Sequence, residues 1–315
     1  MVVRCLATCG RVRFGWHRGH IAWDRCGYCS HSMAGPHAAR GIGEMTNVVI
    51  TGSTRGIGYG LAYEFLKRGH NVVITGRAQE AVDKAVAKLA PEFPDLKVVG
   101  VPCDVSDMPQ VRNLWDKAKQ ELSDIGIWIN NAGINNSRVP IAKLPPEQMR
   151  NVPYTNLLGM MFGCQVALEG MRAQGHGAIY NFEGFGSNGM HSPGSSIYGS
   201  TKYAVRYFTE SLVKETASGS VIVGTISPGI VLTDMTLRDR DNLPPPAWQA
   251  VKKVYNILAD RVETVTPYLV EGVLANTKHG GKIHWLTPRK TAWRFLKARF
   301  GYQRDLFDEP DAQAS

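Results

Sequence analysis

The sequence predicts an α/β fold: one domain on a doubly wound parallel sheet. Three observations point there. From Asn47 onward, short β-branched runs alternate with longer segments of helical period. The short runs are continuously apolar rather than alternating, as in strands covered on both faces. The hexapeptide Asn-Val-Val-Ile-Thr-Gly occurs at 47–52 and again at 71–76, one helix length apart. That is the pattern of a βαβ unit, whose crossover is right-handed.

The expected strands are Asn47–Thr51, Asn71–Thr75, Lys97–Val101, Ile125–Asn130, Ala178–Phe182, Ser220–Ile226 and Lys282–Leu286. Between the first two, Ile57, Leu61, Phe65 and Leu66 recur at helical spacing, and Gly69 stops that helix. Leu157 to Leu168 is broken by Gly159, Gly163 and Gln165 and reads as a buried helix, so no membrane-spanning segment is expected. Pro244–Pro246 marks a loop, and no second globular domain or long repeat follows it. With 43% hydrophobic residues over 315 positions, the composition excludes disorder, collagen and a small disulfide scaffold.

The net charge of +9 is concentrated at the N-terminus, where residues 1–44 hold six arginines and two acids. The remainder is only mildly basic and does not call for nucleic acid. Residues 1–44 also hold Cys5, Cys9, Cys26 and Cys29, with His17, His20 and His31, at a spacing that a zinc ion accepts. No apolar periodicity accompanies them, so no metal site is assigned. The segment is expected to be a disordered extension or to lie outside the native protein, since Met45 opens the first strand directly. Its alternative reading is a targeting peptide, Arg-rich and acid-poor yet poor in serine. Residues 45–288 are then one domain, and 289–315 a basic amphipathic helix and tail. Cys103 and Cys164 read as buried thiols of a reducing compartment. The expected location is cytoplasmic, or the plastid if residues 1–44 are a transit peptide.

The first strand runs into Thr51-Gly52-Ser53-Thr54-Arg55-Gly56-Ile57-Gly58. Glycines between a strand and a helix allow a tight turn and let backbone N–H groups approach a pyrophosphate at the helix N-terminus, as in Rossmann-type sites. Further on, Tyr198 and Lys202 stand four residues apart, on one face of a helix. An ammonium beside a phenol favours the phenolate, which suits the tyrosine to general acid–base work. The expected cofactor is NADP(H). An NAD site normally has an acid about 20 residues beyond the glycines; here Arg77 stands nineteen residues past Gly58. Arg77 and Arg55 suit a 2′-phosphate.

The spacing G-x3-G-x-G, Asn130-Asn131-Ala132-Gly133, Asn156, Tyr198-x3-Lys202 and Ser227-Pro228-Gly229 with Thr233 occur in one order. Together they resemble the short-chain dehydrogenase/reductase family, from about Val48 to Thr287. The resemblance implies that Tyr198 passes a proton to the substrate oxygen while a nicotinamide delivers hydride. It implies that Lys202 also binds the nicotinamide ribose and that Asn156 holds a proton-relay water. The implied cofactor contacts are Gly52, Ser53, Thr54, Arg55, Gly56, Ile57, Gly58, Arg77, Asp104, Val105, Asn131, Ala132, Gly133, Pro228, Gly229, Ile230 and Thr233, besides Tyr198 and Lys202. Asp104 is expected at the adenine.

One position departs from that pattern. The family's serine thirteen residues before the tyrosine is Phe185 here, within Asn181-Phe182-Glu183-Gly184-Phe185-Gly186-Ser187. Ser187 is expected to replace it through a reshaped loop, donating to the developing alkoxide. Glu183 takes a place usually held by a small polar residue. This loop, Ile127-Trp128-Ile129-Asn130 and Gly281-Lys282-Ile283-His284-Trp285-Leu286-Thr287-Pro288 are similar to the chlorophyll(ide) b reductase, or non-yellow-colouring, branch. The branch implies NADPH-dependent reduction of a ring formyl group to hydroxymethyl. The alternatives are a generic short-chain alcohol dehydrogenase or oxoacyl reductase, and a non-catalytic NADP-binding sensor. The expected partners are a small-molecule carbonyl substrate, which the branch resemblance makes a large hydrophobic pigment, and a second copy in a homodimer or homotetramer. In the C-terminal helix Trp293, Leu296 and Phe300 share one face among Arg289, Lys290, Arg294, Lys297 and Arg299. It is expected to pack on the domain or a partner subunit, with peripheral membrane contact as the alternative.

Overall fold

The computed structural model describes residues 45–302 and 304–307. The expectations for residues 1–44, the zinc-like cysteines and histidines among them, lie outside the described residues.

Seven parallel strands form the main sheet: β1 (Asn47–Ile50), β2 (Asn71–Gly76), β3 (Val98–Pro102), β4 (Ile127–Asn130), β5 (Gly177–Phe182), β6 (Val221–Ser227) and β9 (Lys282–His284). Their order is β3-β2-β1-β4-β5-β6-β9, so the chain reverses its direction of travel between β1 and β4. The two Asn-Val-Val-Ile repeats pair residue for residue, Asn47 with Asn71 through Ile50 with Ile74. A second ribbon that the sequence did not suggest pairs β7 (Ile230–Val231) with β8 (Ala259–Asp260). Two-residue strands carry no periodicity, which is why they are illegible beforehand.

Alternate residues of each strand feed two cores. On one face, Val49, Val73, Ile179 and Val223 pack with α3 (Met108–Leu122), α5 (Gly159–Gln174) and α6 (Ser196–Glu215). On the other, Val48, Ile50, Tyr180 and Ile226 pack with α1 (Gly56–Lys67), α2 (Gln79–Leu89) and α9 (Val262–Ala275). Both faces are therefore dry, as continuous apolar strands require. Cys103 and Cys164 are buried free thiols. Among the described residues no helix is long and apolar enough to cross a membrane.

Four shorter or later helices complete the chain: α4 (Pro146–Pro153), α7 (Asp234–Asn242), α8 (Pro245–Leu258) and α10 (Pro288–Arg299). The loop expected around Pro244–Pro246 is in fact the start of α8, because proline suits the first helical turn. In the single chain none of the residues of α10 is buried, and Trp293, Leu296 and the following Phe300 are exposed, so its apolar stripe does not pack on this domain. Its attachment is polar. Asp260 is buried and accepts from Arg294 at 2.8 Å, Arg304 at 2.9 Å and the Trp285 indole at 2.6 Å. Arg304 also donates to the carbonyls of Asn256, Ile257 and Ala259.

Candidate active site

The candidate residues gather at the carboxyl ends of the strands, where open α/β sheets bind ligands at the reversal of strand order. The loop after β1 turns at Gly52, whose φ is +66°, and a Cβ there would stand 2.9 Å from the Ala132 Cα. At Gly58 a Cβ would meet the Gly52 carbonyl at 2.4 Å and the Asn131 amide at 2.6 Å. Only glycine fits either place, which leaves the backbone bare beside the N-terminus of α1. This cradle suits a pyrophosphate, so the residues present fit a dinucleotide.

The loop after β4 braces the cradle. Asn131 donates through its side chain to the Thr51 and Gly52 carbonyls, and the Asn131 and Ala132 amides both donate to the Thr51 hydroxyl at 3.0 Å. Ser53 lies inside the turn. It is fully buried, its amide donates to the Thr75 carbonyl, and its hydroxyl bridges Ile50 and Thr75. It ties β1 to β2. Thr54 lies over Gly76, beside Arg77. Arg77 is exposed, while Arg55 lies 3.5 Å from Asp234, both side chains open to solvent. The Asp104 carboxylate caps its own turn by accepting from the Ser106 amide and hydroxyl, and Val105 packs on Gly159. After β6, Pro228 and Gly229 lead into Ile230, and the Thr233 methyl lies 3.4 Å from where a Gly56 side chain would begin.

Asn156 does not sit in a plain α-helix. It belongs to a π-helical segment, Tyr154–Leu158, between α4 and α5. Such a bulge aims one side chain inward, often at a functional site. Asn156 accepts from the Ile134 amide at 2.8 Å and donates to the Ile134 carbonyl and the Thr201 hydroxyl. It thereby joins the loop after β4 to α6.

Tyr198 and Lys202 do share a face of α6, with the Lys202 Nζ 5.9 Å from the Tyr198 ring centre. The Nζ donates to the Phe182 carbonyl at 3.0 Å. The Tyr198 hydroxyl lies against Gly184, so close that a Cβ there would stand 2.6 Å away. Their electrostatics differ from the expectation of a lowered phenol. Burial pushes the Tyr198 phenol up to about 12. Burial lowers Lys202 to about 8, against an upward pull from Glu183. Lys202 is buried and Tyr198 half-buried, and removal from water disfavours the charged form of each.

Ser187 sits in a turn beneath the loop that carries Phe185. It is buried, its hydroxyl accepts from the Gly184 amide at 3.0 Å, and its own amide returns to the Gly184 carbonyl. Ser187 thus closes a turn on Gly184, against which the Tyr198 hydroxyl lies, and its own O–H stays available as a donor. Phe185 and Met190, exposed on the same loop, border an apolar hollow of about 730 Å3 with Met161, Tyr203 and Tyr207. Helix geometry turns that side of α6 away from Tyr198 and Lys202.

Two positioning groups escaped the sequence reading. Asn136 is buried, accepts from the Tyr198 amide at 3.1 Å and donates to the Gly194 carbonyl at 2.8 Å. It holds the first turn of α6 to a loop 62 residues away, a tie without local signal. His284 brings its Nε2 to 3.9 Å from the Glu183 carboxylate.

The chain is 40% identical to the rice protein named chlorophyll(ide) b reductase NOL, chloroplastic, over 84% of this chain and 78% of that one. It is 36% identical to the Arabidopsis thaliana protein named probable chlorophyll(ide) b reductase NYC1, chloroplastic, over 82% of this chain but only 52% of the relative. The expected cytoplasmic location finds no support in these relatives. Among solved structures, levodione reductase superposes with a TM-score of 0.69 at 22% identity, over 79% of this chain and all of that one. A serine dehydrogenase complexed with NADP+ superposes at 0.64 with 25% identity, over 75% of this chain and 93% of that one. The model of the short chain dehydrogenase family matches residues 46–244. With its strand order, glycine cradle and tyrosine–lysine face, the chain belongs to the short-chain dehydrogenase family, whose members bind a nicotinamide cofactor.

Proposed function

We propose that this protein is an NADPH-dependent carbonyl reductase whose substrate is the ring formyl group of a chlorophyll(ide) b-type pigment. The observation that carries the proposal is the Tyr198–Lys202 face of α6, tied to the carboxyl end of β5 in the sheet whose β1 ends in the glycine cradle, in a chain 40% identical to a reductase of that pigment. The plastid is the matching location.

The bound nicotinamide supplies the hydride; the chain's residues do the rest. Gly52, Gly56 and Gly58 present the bare loop to the pyrophosphate, while Arg77, with Thr54 beside it, meets the 2′-phosphate. Asn131, Ala132 and Gly133 hold the loop after β4 against the cradle. Pro228, Gly229, Ile230 and Thr233 close the other side. Tyr198 is the general acid: its raised pKa keeps the phenol protonated at neutral pH, ready to donate to an oxygen that becomes an alkoxide. Lys202 in its ammonium form offers protons to the ribose and stabilises the phenolate left behind. Asn156, fixed by Ile134 and Thr201, holds the loop that faces them.

The test is to incubate the full chain with NADPH and chlorophyllide b and to separate the pigments by chromatography, with a panel of ketones and aldehydes in parallel. Conversion to the hydroxymethyl pigment is expected. Reduction of the panel carbonyls alone would remove the pigment assignment and leave the reductase. No NADPH oxidation with any carbonyl would overturn both.

A further inference from the structure

Glu183 is an unusual residue to find under a lysine and a tyrosine, and its surroundings give it work. Along β5, Ile179 faces the α6 core and Tyr180 and Phe182 face the other. Alternation therefore turns Glu183 toward α6. Its amide continues the sheet by donating to the Ile226 carbonyl at 2.8 Å. Ser227 pairs with His284 in the next ladder, so Glu183, Ser227 and His284 form one lateral row at the carboxyl edge. Glu183 is only 6% exposed, and a carboxylate so placed requires charged or hydrogen-bonding partners.

The groups that face it are few. From β9 comes His284, whose Nε2 is buried, makes no hydrogen bond and lies 3.9 Å from the carboxylate. From α6 comes Lys202, bonded to the carbonyl of Phe182, the residue before Glu183. Tyr198 rests on Gly184, the residue after it. One row back, Lys282 is already paired with Glu210 at 3.1 Å. Lys202 is thus a buried cation anchored at 3.0 Å to the peptide that leads into this buried carboxylate, and the Glu183 charge opposes the loss of its proton.

We propose that Glu183 is a positioning residue, a counter-charge built into the end of β5 that holds Lys202 in its ammonium form, with His284 steadying the carboxylate from the sheet edge. The proposal rests on the reading of Tyr198 and Lys202 as acid and partner, since a neutral amine serves neither the phenolate nor a ribose hydroxyl as a cation does.

The experiment is an NMR titration of the full chain carrying 13Cε-lysine, with the Lys202 signal assigned by its loss in Lys202→Met. The wild-type midpoint is expected near about 8. In Glu183→Gln it should fall by about one unit, as loss of a neighbouring opposite charge does. Glu183→Asp should restore most of that fall, and His284→Asn should move the midpoint less than Glu183→Gln, because the carboxylate that faces Lys202 is kept. Should Glu183→Gln not fold, Glu183→Ser gives the same readout with room to spare. An unchanged midpoint without the carboxylate, or an equal fall in His284→Asn, overturns the proposal. The titration needs no substrate, so its failure leaves the reductase reading standing. Where that reading holds, the alkaline limb of kcat moves by the same amount.

Discussion

At the scale of single residues, the site's chemistry turns on burial. The phenol of Tyr198 is driven toward its neutral form and Lys202 toward its own, which suits donation more than abstraction. Tyr198→Phe is expected to lower kcat by at least about 100-fold, the usual contribution of a positioned acid, with NADPH affinity nearly unchanged. Lys202→Met should reduce both. Stopped-flow turnover and fluorescence titration of NADPH check this, and near-normal turnover in Tyr198→Phe would exclude it as the acid. Ser187 behaves as part of a turn. Ser187→Ala should therefore cost about 1 kcal/mol of stability for its lost hydrogen bond and no more than roughly tenfold in turnover, against about 100-fold or more for a true oxyanion donor. Denaturant unfolding and kcat on the same sample distinguish the two. Arg77→Asp should turn cofactor preference from NADPH toward NADH, because a carboxylate repels a 2′-phosphate and accepts from a 2′-hydroxyl. A wild type that favours NADH, or an unchanged ratio of kcat/KM, would remove Arg77 from the phosphate site.

At the scale of elements, the C-terminal helix is held to its own chain by charge rather than by its apolar stripe. The stripe Trp293, Leu296 and Phe300 faces out, and the attachment runs through Asp260 to Arg294, Arg304 and Trp285. A buried carboxylate with two guanidinium partners is costly to break, since the arginines are left without compensation. Asp260→Ala is expected to destabilise the fold by about 3 kcal/mol and to release the end of the chain first. Urea unfolding measures the cost, and limited proteolysis at residues 288–307 reads the release. A stability within about 0.5 kcal/mol of wild type would show the cluster to be incidental. The π-helical turn at Asn156 is the other element that sequence does not announce. Its register is set by what Asn156 reaches, Ile134 on one side and Thr201 on the other, and not by local propensity.

At the scale of the whole molecule, a chain starting at Met45 is expected to fold and bind NADPH. The described residues from Met45 onward assemble both cores. Circular dichroism and NADPH titration of the shortened chain check it, and failure to fold would assign residues 1–44 a structural part. The seven strands of the sheet, the glycine cradle and the Tyr198–Lys202 face were legible in the sequence because each rests on local grammar: continuous apolar runs, glycines between a strand and a helix, and a spacing of four. Strand Ile125–Asn130 begins two residues later than its apolar run, at Ile127, since burial alone does not make a ladder.

What the sequence determined by itself was therefore the periodic and the adjacent: a parallel sheet covered on both faces, and a phenol and an ammonium on one helical face. What only the tertiary structure decided was the company each group keeps. Ser187 became a turn, Ser53 a tie between strands, Asn136 a brace for Tyr198, and Glu183 the neighbour of both His284 and Lys202. Asn136 and Tyr198 are 62 residues apart, and Glu183 and His284 stand on strands separated by β6. Hydrogen bonds and charges act over a few ångströms whatever the separation along the chain, so the partners, and with them the direction of each pKa, exist only once the sheet has brought its carboxyl ends together.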